Sequence, residues 1–196
     1  MSNQRDVVVI GTSFGGISAI GKLAASWPQS LRVAILVAFD TSAQPPSTVL
    51  EILQSYAPFQ MRYAYDFEEI RPGRIYLGPP DQHIVVAEPG IVRLVAGSVL
   101  DPSCPSADRL FSSAARVFGP RVIGVLLTGS TRDGTRGMEA IERAGGIGIV
   151  QDPSDALDPT MPLAAIRGDH PDYCVRVDEM AALIEQLASG LVPLGR

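Results

Sequence analysis

Val7-Val8-Val9-Ile10 is an unbroken run of β-branched apolar residues that passes directly into Gly11-Thr12-Ser13-Phe14-Gly15-Gly16. A strand whose two faces are both apolar has no solvent side, so helices must cover each face, and that arrangement belongs to parallel sheets. Val33–Val37, Val122–Leu127, Gly146–Val150 and Cys174–Val177 are similar runs. Between them, apolar residues recur at helical intervals: Ile17, Ile20, Leu23, Ala24 and Trp27; Val49, Leu50, Leu53 and Tyr56 after Pro45-Pro46; Ala107, Leu110, Phe111, Ala114 and Val117; Met138 and Ile141; Met180, Leu183, Ile184 and Leu187. Strand and helix patterns in alternation predict an α/β fold with a mostly parallel sheet.

The middle of the chain differs. Arg74–Leu77, His83–Val86 and Ile91–Leu94 are short pieces separated by Gly-Pro-Pro-Asp and Glu-Pro-Gly turns. They predict an antiparallel hairpin at one edge of the sheet. No repeat or linker divides the 196 residues, so one domain spanning 1–196 is expected. With 46% hydrophobic and 19% charged residues the composition is that of a folded globular chain and excludes intrinsic disorder. No apolar run reaches the roughly 18 residues of a membrane helix, and no leader pattern precedes Val7, so a cytoplasmic protein without membrane insertion is expected. Cys104 and Cys174 lack metal-ligand spacing and suit a reducing compartment. A formal charge of -5 argues against nucleic acid as a partner, and no cofactor or metal is expected.

Two chemistries use a strand that breaks into a glycine turn and a helix. In a dinucleotide site the glycines admit a pyrophosphate at the helix N-terminus and an acidic residue holds the ribose. Asp40, 24 residues after Gly16, would fit, but Ser13 stands where the middle glycine is needed. In a nucleophile turn, Gly11-Thr12-Ser13-Phe14-Gly15 matches G-x-S-x-G, and the helix start supplies N–H donors for an oxyanion. A plain strand-to-helix turn is the third reading. A second glycine-rich turn, Thr128-Gly129-Ser130-Thr131-Arg132-Asp133-Gly134, follows the Gly124–Leu127 run. Asp133 there is either the N-cap of the next helix or a carboxylate that orients an imidazole.

Together these segments resemble the catalytic domain of CheB-type protein-glutamate methylesterases, which demethylate chemoreceptors. Gly11–Gly16 resembles the family's G-x-S-x-G-G. Pro72–His83 resembles its P-G-x-x-Y-x-A-P-x-x-x-H hairpin. Pro105-Ser106-Ala107-Asp108-Arg109-Leu110-Phe111 is similar to P-S-V-D-x-L-F, Gly124–Met138 to G-V-I-L-T-G-M-G-x-D-G-x-x-G-M, and Met161-Pro162 to the M-P of a later loop. The resemblance implies a doubly wound, Rossmann-like three-layer sheet, Ser13 as nucleophile, Asp133 as triad aspartate, and a methyl-accepting chemoreceptor or other chemosensory protein as partner. Thr12, Phe14, Gly15, Gly16, Ser130 and His83 would form the pocket and oxyanion neighbourhood.

The departures fall on the same site. The family's triad histidine ends the second strand, where this chain has Phe39; the two histidines present are His83 and His170. Phe14 replaces a small threonine and Ser130 a methionine. His83, in the hairpin, is expected to have a structural or binding role, and His170 to be a solvated loop residue. The expectation is therefore either a methylesterase or a fold that keeps a binding surface without the activity. Because a strand already begins at Val7, the chain is expected to hold the effector alone, without a phosphorylatable receiver domain.

Overall fold

A computed structural model describes residues 4–28, 30–40, 45–56, 60–98, 103–169 and 171–191. In chain order the elements are β1 (Val7–Thr12), α1 (Gly16–Ala25), β2 (Ala34–Phe39), α2 (Pro46–Tyr56), β3 (Met61–Tyr63), β4 (Arg74–Leu77), β5 (Gln82–Ala87) and β6 (Ile91–Ala96). They continue with α3 (Ala107–Phe118), a 3-10 turn at Gly119–Arg121, β7 (Val122–Leu126), α4 (Thr135–Arg143), β8 (Ile147–Gln151), α5 (Thr160–Asp169), β9 (Tyr173–Val175) and α6 (Val177–Ala188).

Seven strands form one sheet in the order β3-β4-β2-β1-β7-β8-β9, and each neighbouring pair runs parallel. Alternate residues of each central strand serve opposite cores, which is why the runs read as continuously apolar. Val8, Ile10, Ile35 and Val37 pack with Ile20 and Leu23 of α1, Leu53 of α2 and Ile184 of α6. Val7, Val9 and Leu36 face the other way, onto Phe111 of α3, Met138 of α4 and Ala165 of α5. At about 25 cal/mol per Å² of apolar area removed from water, two such layers supply the main drive for folding.

The parallel α/β expectation holds, and the antiparallel hairpin exists. Its composition is corrected in one respect: Arg74–Leu77 is β4 of the main sheet, paired with both β2 and β3. β5 and β6 pair antiparallel, as a two-stranded sheet of their own, with His83 opposite Val95. That ribbon packs on α3, where Ser113 Oγ accepts a hydrogen bond from Val86 N at 3.0 Å. Two further boundaries shift. Val177 opens α6 instead of ending a strand, and Met161-Pro162 lies in the first turn of α5, not in a loop. Pro162 is tolerated there because first-turn amides have no partner inside the helix.

The chain doubles back between β1 and β7. β2 lies on one side of β1, whereas β7, reached only after α3, lies on the other. At such a switch point the loops leaving the two C-terminal strand ends diverge and leave a crevice. Ser13 follows β1, and the turn 128–134 follows β7. Among the described residues no helix is long and apolar enough to cross a membrane.

Candidate active site

The turn after β1 is tight because Ser13 O accepts a hydrogen bond from Gly16 N at 2.9 Å, and Gly15, at φ 85°, supplies the left-handed residue that caps α1. Several hydrogen bonds tie this turn to the one after β7, two of them at one carbonyl. Thr128 O accepts from Thr12 Oγ1 at 2.7 Å and from Ser13 N at 3.2 Å. Thr128 is held in turn by Gln151 at the end of β8, whose Oε1 accepts from Thr128 N at 2.8 Å. Thr128 Oγ1 accepts from Asp158 N at 2.9 Å and lies 3.1 Å from Phe14 O. Three strand ends are thus locked around one serine.

Ser13 is 8% exposed, while its neighbour Phe14 is 61% exposed. The hydroxyl therefore points inward from beneath an apolar side chain in solvent. Ser13 Oγ accepts a hydrogen bond from Ser130 N at 3.0 Å and donates to Met161 Sδ at 3.5 Å. A thioether is a weak acceptor with no basicity near neutral pH. Among the described residues no imidazole bonds to this hydroxyl. The approach is close on every side: a Cβ on Gly129 would lie 2.0 Å from Met161 Sδ and 2.5 Å from Ser13 Oγ.

Phe39 ends β2 directly opposite Thr12 in the sheet register, one residue before Ser13. It is 6% exposed, and a Cβ on Gly16 would meet its ring at 2.7 Å. The close approach that Gly16 permits is therefore filled by an aromatic ring and Thr12, which accounts for the glycine without a bound pyrophosphate. Asp40, just beyond, is half-buried.

Asp133 is half-buried at the other wall. Its carboxylate accepts from Ser106 Oγ at 2.8 Å, Ala107 N at 2.6 Å and Asp108 N at 3.0 Å, all at the start of α3. Of the two readings of Asp133, the N-cap of the following helix is not realised: Gly134 occupies that position in α4, and the Asp133 side chain caps α3 instead. The favour is returned. Asp108, in the first turn of α3, accepts from Gly137 N in α4 at 2.8 Å. Burial, with the nearby Asp133 charge, holds the Asp108 carboxyl above the ordinary carboxylate value against the pull of the Gly137 and Gly134 amides and of Arg136. α3 is thus started by an acid from the turn before α4, and α4 by an acid of α3, which places negative charge at two positive helix ends.

His83 lies in β5, fully buried, and its Nδ1 accepts from Ser106 N at 3.2 Å. Ser106 bridges the two groups, since its amide serves His83 and its hydroxyl serves Asp133. His170 lies outside the described residues. Sequence reasoning found Ser13, Ser130 and Asp133 at one sheet edge but missed Thr128, Gln151 and Met161. Gln151 had a signal, as a polar residue directly after the apolar run Ile147–Val150. Met161 stood only in the Met161-Pro162 match to the family's later loop, which carries no sign of its contact with Ser13, 148 positions away. Among the described residues no group of acids, histidines and cysteines could hold a metal, and neither Cys104 nor Cys174 is in a disulfide.

A doubly wound sheet with a serine at its switch point, a backbone amide at the serine hydroxyl and an acid at the facing helix start defines the class as a three-layer α/β protein with a serine site. The comparisons narrow it. The model of the CheB methylesterase family matches residues 8–184, and the chain belongs to that family. It is 31% identical over 182 residues to a putative protein-glutamate methylesterase/protein-glutamine glutaminase of Leptospira interrogans, covering 93% of this chain and 94% of that protein. It is 34% identical over 188 residues to a protein-glutamate methylesterase/protein-glutamine glutaminase of Geobacter sulfurreducens, covering 94% of this chain and 51% of that protein. The crystal structure of the Thermotoga maritima CheB methylesterase catalytic domain superposes with a TM-score of 0.85 at 27% identity, covering 95% of this chain and all of that one.

Proposed function

We propose that this protein is a chemosensory module that receives glutamyl side chains of a chemoreceptor at the Ser13 edge, with ester hydrolysis there far below that of an enzyme with a complete triad. One observation carries the reading: the Ser13 hydroxyl donates to Met161 Sδ, not to a base. An alcohol is a weak nucleophile unless its proton is removed as it attacks. Loss of the histidine from a comparable triad costs about 10⁶ in turnover, or roughly 8 kcal/mol of barrier. Oxyanion donors and binding retain on the order of 10³ to 10⁴ over water. Phe39 at the end of β2 supplies neither a lone pair nor a proton.

A second reading, hydrolysis of glutamyl methyl esters or amides with Ser13 as nucleophile, has its own support. The Ser130 amide stands 3.0 Å from Ser13 Oγ, where it could serve a developing oxyanion, and the relatives carry those activities in their names.

Methanol release from a methyl-esterified receptor fragment separates the two. The expected outcome is turnover that does not fall when Ser13→Ala is introduced, with a Ser13-dependent gain in Phe39→His. Rapid turnover of the parent that Ser13→Ala abolishes would establish the second reading and overturn the first.

A further inference from the structure

A broad cavity of this protein does not centre on Ser13. It is an open groove of about 800 Å³ between α4 and α5, reaching the turn 131–133 at one end. Leu163 and Ala164 give it an apolar floor, and Arg132, Arg136 and Arg167 line its sides. The three guanidinium groups come from the loop before α4, the first turn of α4 and the last turn of α5. All are exposed, and none has a hydrogen-bond or ion-pair partner among the described residues.

The acids in the same groove do not cancel them. Glu139 is paired with Arg143 at 2.6 Å. The Asp133 carboxylate takes three donors from α3, and Asp108 takes the Gly137 amide. Their charges are opposed by helix N-termini and, at Asp108, by Arg136, which leaves Arg132 and Arg167 without a charge partner among the described residues on a chain whose formal charge is -5. Local cation density against an acidic background selects an anionic partner for this groove alone. The groove also adjoins the serine site. Ser130, whose amide meets Ser13 Oγ, precedes the lining residue Thr131, and Met161, whose sulfur meets the same oxygen, follows the lining residue Thr160.

We propose that the α4/α5 groove docks an acidic polypeptide segment, its carboxylates received by Arg132, Arg136 and Arg167 while an adjoining glutamyl side chain enters at Ser13. The proposal rests on the glutamyl reading of the Ser13 edge and adds how the target chain is held. A polypeptide fits better than a small anion because the cations are spread over three elements of an open groove that also exposes Leu163 and Ala164. The first-turn amides that would bind a phosphate, at Ala107, Asp108 and Gly137, are already taken by carboxylates.

The probe is a fluorescein-labelled helical peptide with glutamates on one face, compared with its glutamine counterpart by anisotropy at low and high salt. Binding of the glutamate peptide alone, weakening with salt, is expected. Arg132→Gln, Arg136→Gln and Arg167→Gln should each weaken it roughly threefold and the triple variant about 30-fold, the range of partly exposed charge pairs. Arg116→Gln, on the exposed side of α3, should change nothing, and melting curves of all variants should match the parent. Equal binding of both peptides, or unchanged affinity in the triple variant, overturns the proposal. So does complete displacement by millimolar inorganic phosphate that binds with the same arginine dependence. Rapid Ser13-dependent ester turnover by a parent that binds the glutamate peptide would count against the low-turnover reading alone, and a parent that fails to bind that peptide would count against the groove alone.

Discussion

Replacing Asp133 by alanine tests whether this acid is a structural keystone of the site. The substitution removes a carboxylate that accepts from Ser106 Oγ, Ala107 N and Asp108 N at 2.6 to 3.0 Å. A hydrogen bond to a charged group contributes about 1.5–3 kcal/mol, but donors at a helix start beside a half-buried position recover part of this from water, and whole-cap deletions cost about 0.5–2 kcal/mol. The expected loss is roughly 2–4 kcal/mol. For a domain of this size that lowers the Tm by roughly 5–15 °C. Urea and thermal unfolding measure it directly. Asp133→Asn keeps one acceptor oxygen but turns an NH₂ group toward a donor, so it should fall between parent and alanine. Ser106→Ala combined with Asp133→Ala should be less than additive, because one hydrogen bond is shared. If Asp133→Ala unfolds within about 0.5 kcal/mol of the parent, the cross-capping account is wrong, since that is the scatter of neutral surface changes.

Gly129→Ala should displace Ser13 and destabilise the protein, because its Cβ would lie 2.0 Å from Met161 Sδ; loss of thermal stability, with the parent-like melt as the refuting result, checks it. Asp155 is pushed up by burial but pulled further down by the Val177 and Gln151 amides and Arg176, so its carboxyl titrates below the ordinary 3.8. Its stabilisation is therefore present above that value and disappears as pH falls through the lower folded one. Asp155→Asn should be less stable than the parent at pH 7 and converge with it in acid, as pH-dependent urea midpoints will show. Asp108 has the opposite sign: its folded value is raised, so its contribution is favourable below 3.8 and lost as pH rises through the folded value. Asp108→Asn, which retains an acceptor for Gly137 N, should be neutral or stabilising at pH 7, and a clear loss there would contradict the burial argument.

Much of the fold was legible because each central strand is buried on both faces, a condition that writes itself into consecutive residues such as Val7–Ile10 and Ala34–Phe39. The edges were less so. Met61–Tyr63 is too short and mixed to show a pattern, and Arg74–Leu77 alternates like a hairpin strand yet pairs parallel with β2 and β3. The helix α5 has a weak periodicity interrupted by Pro162 near its start, so its first residues read as loop. At the site, Ser13 and Asp133 stood out because glycine turns at strand ends mark the sheet edge where ligands bind.

The sequence by itself determined the layered α/β class, the presence of Ser13 and Asp133 at two strand ends, and phenylalanine rather than histidine at position 39. Tertiary structure alone decided what those groups touch. Asp133 could have capped its own helix, but it spans to α3 while Asp108 answers from α3 to α4. Ser13 could have met a base, but a sulfur 148 positions along the chain reaches its hydroxyl. Periodicity encodes which face of an element is buried, because burial repeats with the local geometry. Hydrogen-bond partners do not repeat, since they are set by where separate elements come to rest against one another.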